Sequence, residues 1–300
     1  MPSPTPLNYA ESYQSSLLQQ FSHAMYFGAL FETPNNSLYR WVNSRVIEIP
    51  SISTTGRVDG DRDTIGAATR NYDNEWTPLR LMNHRKWKTT VHPHDIDQTN
   101  MVANITNITR VYNTEQKVPE MQAYLVSKLY ADFLDFGGVA DDTVLTDDNI
   151  LETIDDYMTA MDEALIPREG RLLYVTPKAR ERINNAKQIY RHIDLKSTDT
   201  KLTRGITAID ELQIVQVPSD LMKTLYEFTV GWKVAVGAAQ INMFMVHPLA
   251  VVTPIHYEFA QLDPPSAGSD GKYIYFEESF EDVFLLEKRK AAIMFNITNP

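Results

Sequence analysis

The alternation of apolar and polar positions is clearest between Leu79 and Phe136. Leu79, Leu81, Trp87 and Val91 alternate with Arg80, Lys86, Lys88 and His92, a period of two that predicts one half-buried strand. An elbow follows at His92-Pro93-His94-Asp95. From Pro119 the period lengthens, and Met121, Leu125, Leu129, Phe133 and Phe136 recur at helical spacing as one apolar stripe. Pro119 suits a first helical turn, Glu120 the positive end of the dipole, and Gly137-Gly138 a left-handed stop. A helix over 119–136 would be about 27 Å long.

Elsewhere the pattern is shorter-ranged. Prolines at 2, 4 and 6 favour an extended start, after which Tyr13, Leu17, Phe21 and Met25 recur at steps of four and predict a short amphipathic helix within Tyr9–Phe27. Arg45–Ser53 reads as a strand whose Pro50 suits an edge. Ile150, Ile154, Tyr157, Met161 and Leu165 predict a second amphipathic helix, capped by Thr146 or Asp147. "RLLYV" is a buried strand, and Thr176-Pro177 opens a helix over "PKARERINNAK". Asp194–Lys201 is a polar loop, followed by strands at Ile206–Ile209 and Leu212–Val217. Ile241–Phe259 is apolar and strand-like with bends at Pro248 and Pro254, and Tyr273–Phe276, Val283–Leu286 and Ala291–Ile297 are three closing strands.

One stretch does not suit a compact domain. Thr54–Trp76 is long, polar and glycine-containing, and a loop of that length is uncommon unless it has a job. A lone two-stranded hairpin is also marginal in water, a difficulty that disappears if the excursion lies on another chain. Its charges, Arg57, Asp59, Asp61, Arg62, Asp63, Arg70, Asp73 and Glu75, are mixed in sign, as suits complementary patches on a neighbour. A disordered, solvated loop is the competing reading.

The order of "LRLMNHRKWKTTVHPHDIDQTN", "VPEMQAYLVSKLY", "RLLYVTPKARERINNAK", "ITAIDELQIVQVPSDLM" and "INMFMVHPLAVV" resembles that of tailed-phage major capsid proteins, over about Tyr39–Ile297. The resemblance implies an α+β fold: an N-terminal arm at 1–44, an E-loop at 45–92, a P-domain at 93–145 with its spine helix near 119–136, an A-domain at 146–250, and a return to the P-domain at 251–300. It implies a subunit that assembles with itself into pentamers and hexamers, closing an icosahedral shell around double-stranded DNA. Such a shell is assembled in the host cytoplasm and ends as the virion. The eight E-loop charges become inter-subunit contacts, and the arm is expected along a neighbour, the alternative being a helix packed on its own domain. Some relatives weld the E-loop through a lysine–asparagine bond, but no lysine lies between Thr54 and Glu75, so a non-covalent shell is expected. The short lead to the E-loop leaves no room for a built-in scaffolding extension, so a separate scaffolding protein is expected, beside a portal and possible decoration proteins.

Composition narrows the classes. With Cys at 0 no disulfide is available, as suits a reducing compartment. No apolar run reaches the roughly eighteen residues of a membrane span, and the N-terminus lacks the pattern of a signal peptide, so the sequons at Asn35, Asn104, Asn107 and Asn296 read as chance matches. Acids outnumber bases, 39 to 28, for a net charge of −11, which argues against general affinity for nucleic acid. A shell lining of that sign would not adhere to a genome, though ordinary solubility explains the number equally well.

Two kinds of chemistry remain to be weighed. His92, His94, Asp95 and Asp97 could ligate a divalent ion, since in an extended segment His92 and His94 share a face. No second ligand cluster accompanies them, and a polar elbow accounts for the same residues. The pairs Asp155-Asp156, Asp162-Glu163, Glu277-Glu278 and Glu281-Asp282 read as solvated faces rather than general acids. No catalytic, cofactor or metal site is therefore assigned. The alternatives are an encapsulin-type nanocompartment shell and a metal-dependent hydrolase using the histidine elbow.

Overall fold

The computed structural model describes residues 24–43, 45–57, 70–98, 104–186, 208–209 and 211–298. The amphipathic stretch expected over Tyr9–Phe27 lies outside these except for its last residues, as does the loop Asp194–Lys201.

A five-stranded sheet forms the centre, in the order Ile293–Thr298, Gln240–Val246, Leu172–Val175, Leu212–Gln216, Ala208–Ile209. Leu172–Val175 runs parallel to Leu212–Gln216, and the other pairings are antiparallel. Leu172–Val175 and the end of its neighbour, Met243–Val246, read as unbroken apolar runs because both faces are covered. Tyr174, Phe244 and Phe295 point to one side, against Leu125, Leu129 and Phe133 of the long helix and Phe27 and Leu30. Leu173, Val175, Met243 and Met245 point to the other, against Ile154, Met161 and Ile183 of the helices Ile150–Glu163 and Pro177–Asn185. Phe244 is the hub, with ring centroids of Phe27, Tyr174 and Phe295 4.9–6.0 Å away.

A second sheet of three strands has the order Ile255–Asp263, Tyr273–Glu281, His84–Val91. The expected single strand over Leu79–Val91 is therefore two strands in different sheets. Tyr72–Arg80 pairs with Val46–Thr54, whereas His84–Val91 pairs with Tyr273–Glu281. Between them Leu81, 2% exposed, drops into a small core with Ile47, Val252 and Phe284. A period of two persists across this change of partner, so alternation alone could not reveal it.

The long helix runs Val118–Asp135 and stops as expected. Gly138 N–H donates to Phe133 O at 2.8 Å and Gly137 N–H to Leu134 O at 2.9 Å, with Gly137 at φ 77°, the paired bonds of a Schellman motif. Its start differs from expectation. Pro119 lies inside a continuous helix that begins at Ile105 and passes through a π-turn at Asn113–Lys117, so the helical path is about 46 Å long. A proline there lacks an N–H for the preceding turn and crowds its carbonyl, and the wider π-turn accommodates both. The first half, "ITNITRVY", is rich in β-branched residues and asparagine, weak helix formers that hid it from the pattern. Contacts with the second sheet hold it. Tyr112 stacks on Trp87 at 3.8 Å, and Lys117 meets Glu277 at 2.6 Å.

The helix Ile150–Glu163 starts after Asn149 rather than at the expected Thr146 or Asp147, and the Asn149 side chain does not cap it: it turns back to accept from Thr146 N–H at 2.6 Å, while Asn149 N–H donates to Thr146 Oγ1 at 3.3 Å. Thr176 caps the following helix by accepting from Ala179 N–H, with Pro177 in its first turn.

Candidate assembly interface

The hairpin Val46–Thr54/Tyr72–Arg80 keeps a continuous register from Val46↔Arg80 to Thr54↔Tyr72. A third strand, Arg40–Asn43, pairs only as far out as Glu48, so the outer half is a two-stranded ribbon. Burial falls along it. Ile47 at the root has no exposed surface, whereas Ile52 is 71% exposed and Tyr72 55%. Pro50 sits in this outer half, opposite Trp76, where a missing donor costs least. Arg40 reinforces the inner half, 2.8 Å from Glu48 and 3.7 Å above the Trp76 ring.

Of the eight charges assigned to this excursion, Asp59, Asp61, Arg62 and Asp63 lie outside the described residues. Arg70 and Asp73 pair with each other at 3.0 Å, both well exposed, and Arg70 also lies over Tyr72. Arg57 and Glu75 are exposed near the outer end.

The root is fastened by groups that the sequence pattern missed. Asp282, 3% exposed, accepts from Met82 N–H at 2.7 Å, Val283 N–H at 2.8 Å and the Tyr124 hydroxyl at 2.8 Å, tying the end of the hairpin to the long helix. Burial, with Asp282 beside it, pushes the Tyr124 phenol well up. Glu277, 6% exposed, accepts from Tyr275 and meets Lys117, while Arg85 reaches Glu120 at 2.5 Å and Phe228 O at 2.7 Å. Glu277 and Asp282 thus belong to buried networks rather than to the solvated faces expected of them; Asp155 and Asp156 are exposed as expected. The available signal was Glu277 falling within the apolar strand "YIYFEESFE", where a solvated carboxylate is out of place. One turn before the stop of the long helix, Asp132 accepts from Leu285 N–H at 3.1 Å and from Lys128 at 2.5 Å; its burial raises the carboxyl despite the lysine.

The histidine elbow is the short helix Pro93–Gln98 rather than an extended segment. His92 and His94 stack at 5.2 Å, and His92 Nδ1 accepts from His94 N–H. Among the described residues no group of three or more His, Asp and Glu is arranged to hold a metal ion. Nor is any described helix long and apolar enough to cross a membrane.

No protein-family model matches the chain, and no curated protein matches it in sequence. Solved structures do match in fold. One titled as the asymmetric unit of the bacteriophage PhiM1 mature capsid superposes with a TM-score of 0.67 at 11% identity, over 97% of this chain and 92% of the other. A capsid structure of the cyanophage P-SCSP1u matches at 0.66 and 9% identity, covering 96% and 92%. A structure from Mycobacterium phage Che8 matches at 0.63 and 13% identity, covering 96% of each. The architecture is thus that of phage capsid structures across nearly the whole chain, with the α+β mixture the sequence led us to expect.

Proposed function

We propose that this chain is the major structural subunit of a tailed-phage head, associating with copies of itself into the pentamers and hexamers of an icosahedral shell around double-stranded DNA. The observation that carries the reading is the hairpin, whose outer half leaves Ile52 and Tyr72 bare on a ribbon that a single chain does not cover. Support comes from the full-length likeness to structures titled as phage capsids. A ribbon of two strands is marginal in water, and a neighbouring copy provides the missing cover.

In this reading residues 45–92 are the E-loop, and its charges are contacts to the next subunit. Arg57, Asp59, Asp61, Arg62, Asp63 and Glu75 carry more of that role than Arg70 and Asp73, which already satisfy each other. Of the arm expected at 1–44, Phe27 and Leu30 pack into the chain's own core and Arg40–Asn43 pairs with its own hairpin, so a contact with a neighbour falls to the residues before them. The function is mechanical rather than enzymatic, since many weak contacts repeated over a closed shell sum to a pressure-bearing wall. The subunit acts in the virion after assembly in the host cytoplasm, with a separate scaffolding protein and a portal as partners. Without a lysine between Thr54 and Glu75 the shell is non-covalent.

Negative-stain microscopy and sedimentation of the purified protein test the reading. Rings or closed shells that boiling detergent reduces to single chains are expected, and removing the outer hairpin, residues 50–76, leaves a folded monomer. A compact monomer at high concentration, with the hairpin intact and protected from protease, overturns it.

A further inference from the structure

If copies of one chain make the shell, the surface that covers the bare hairpin ribbon lies on that same chain. Among the described residues, the densest run of exposed apolar side chains away from the hairpin is Leu225, Val230, Val234 and Val236, four within twelve residues, with Val236 fully exposed. Apolar side chains exposed singly need no explanation, but several gathered on one short element mark a contact surface.

The run is a small antiparallel ribbon, Tyr226–Glu227 against Lys233–Val234, turned at Gly231 with φ 65°. It is braced from within. The Tyr226 hydroxyl donates to Asp220 O at 2.7 Å and accepts from Lys223 N–H at 2.9 Å, and its ring lies 6.0 Å from those of Phe228 and Trp232. Phe228 in turn packs on Tyr124 at 5.5 Å, and its carbonyl accepts from Arg85 at 2.7 Å. The exposed side chains thus stand on a fixed frame, whose ordering cost is met before a partner arrives. Through Tyr124, which holds Asp282, and through Arg85 the frame adjoins the root of the hairpin.

The hairpin of the same chain does not cover this frame. Its outer half runs away from the root over five residue pairs, Pro50↔Trp76 to Thr54↔Tyr72, and ends bare. The excursion Thr54–Trp76 holds three arginines against five carboxylates. The next densest apolar stretch, 134–148, exposes Leu134, Val139 and Val144 but also contains five aspartates and no base, a sign that opposes such an excursion. Over 220–236 Lys223 and Lys233 offset Asp220 and Glu227. Charge therefore admits the hairpin at 225–236 and disfavours it at 134–148.

We propose that the outer half of one copy's hairpin lies across Leu225–Val236 of a second copy, beside that copy's own hairpin root, so that the contact repeats head to tail. This contact rests on the shell-subunit reading but is separable from it by experiment. The chain has no cysteine, so Ile52→Cys and Val236→Cys can be labelled cleanly. Purified apart, mixed and treated with a short bismaleimide, they should give a heterodimer that neither variant gives alone. No heterodimer, in samples where lysine cross-linking shows that wild-type chains associate, overturns this contact and leaves the shell reading standing. Failure of wild-type chains to associate in any form overturns both. As a second measurement, Val230→Asp combined with Val236→Asp should leave the unfolding temperature unchanged, since both side chains already face water, while raising at least tenfold the concentration needed for association. Adding Ile52→Ser to that pair should weaken association no further, because surfaces that meet are coupled. Unchanged association in the aspartate variant, or a second full loss on adding Ile52→Ser, overturns the contact.

Discussion

The central sheet and the hairpin are both built from β-strands with apolar side chains, yet they solve opposite problems. Strands such as Leu172–Val175 and Gln240–Val246 are covered on both faces by helices of the same chain, and Phe244 touches three other rings. Strands Val46–Thr54 and Tyr72–Arg80 have comparable backbone pairing, but beyond Ile49 hardly any apolar cover. Hydrogen bonding in the ladder is thus not what separates stable from unfinished. Burial is, because the ladder only exchanges water partners for protein ones while apolar cover supplies the net driving force.

Substitutions can break this contrast at graded strength. Phe244→Ala removes the ring at the hub and should cost about 3–5 kcal/mol in urea unfolding, enough to threaten the fold. A loss below about 1 kcal/mol would mean that the sheet is not the stabilising centre. Asp282→Ala strands the buried Val283 N–H, the half-buried Met82 N–H and the Tyr124 hydroxyl and should cost about 2–3 kcal/mol. It should also speed amide exchange near Met82 ahead of exchange in the central sheet. Uniform acceleration throughout would show that Asp282 supports the whole domain rather than the hairpin root.

A milder effect comes from pH. His247 is 6% exposed; its Nδ1 accepts from Leu249 N–H at 3.1 Å, and its Nε2 faces Glu169 O as a donor, an arrangement only the neutral ring can make. Burial, with Arg171 and Arg289 nearby, lowers its pKa below 6.5 even though the bond to Glu169 opposes the shift. The unfolded chain therefore binds the proton more readily. Stability from this group is full above 6.5 and falls as pH drops through 6.5 toward the lower folded value. His247→Gln should flatten that part of the melting-temperature profile, and an unchanged slope would place its origin elsewhere.

The smallest change in stability is expected on the hairpin. Ile52→Ser or Tyr72→Ser should alter the unfolding free energy by no more than about 0.5 kcal/mol, because both side chains already face water. Their effect should appear in self-association, as loss of the rings or shells expected under the proposed function. If either variant unfolds markedly more easily, that side chain is covered within its own chain.

By itself, the sequence determined the local devices: the apolar stripe from Met121 to Phe133, the Gly137-Gly138 stop, the Thr176-Pro177 start, and the long polar excursion between two strands. These are legible because each is set by residues a few positions apart, through helical period, capping and φ preference. Tertiary structure decided which strands pair, that Leu79–Val91 divides between two sheets, that the weak helix former "ITNITRVY" is helical, and that Glu277 and Asp282 are buried. The reason is physical. Asp282 takes its proton donors from Met82 and Tyr124, and Tyr112 is held by Trp87 and the sheet behind it, partners that only the folded chain brings together.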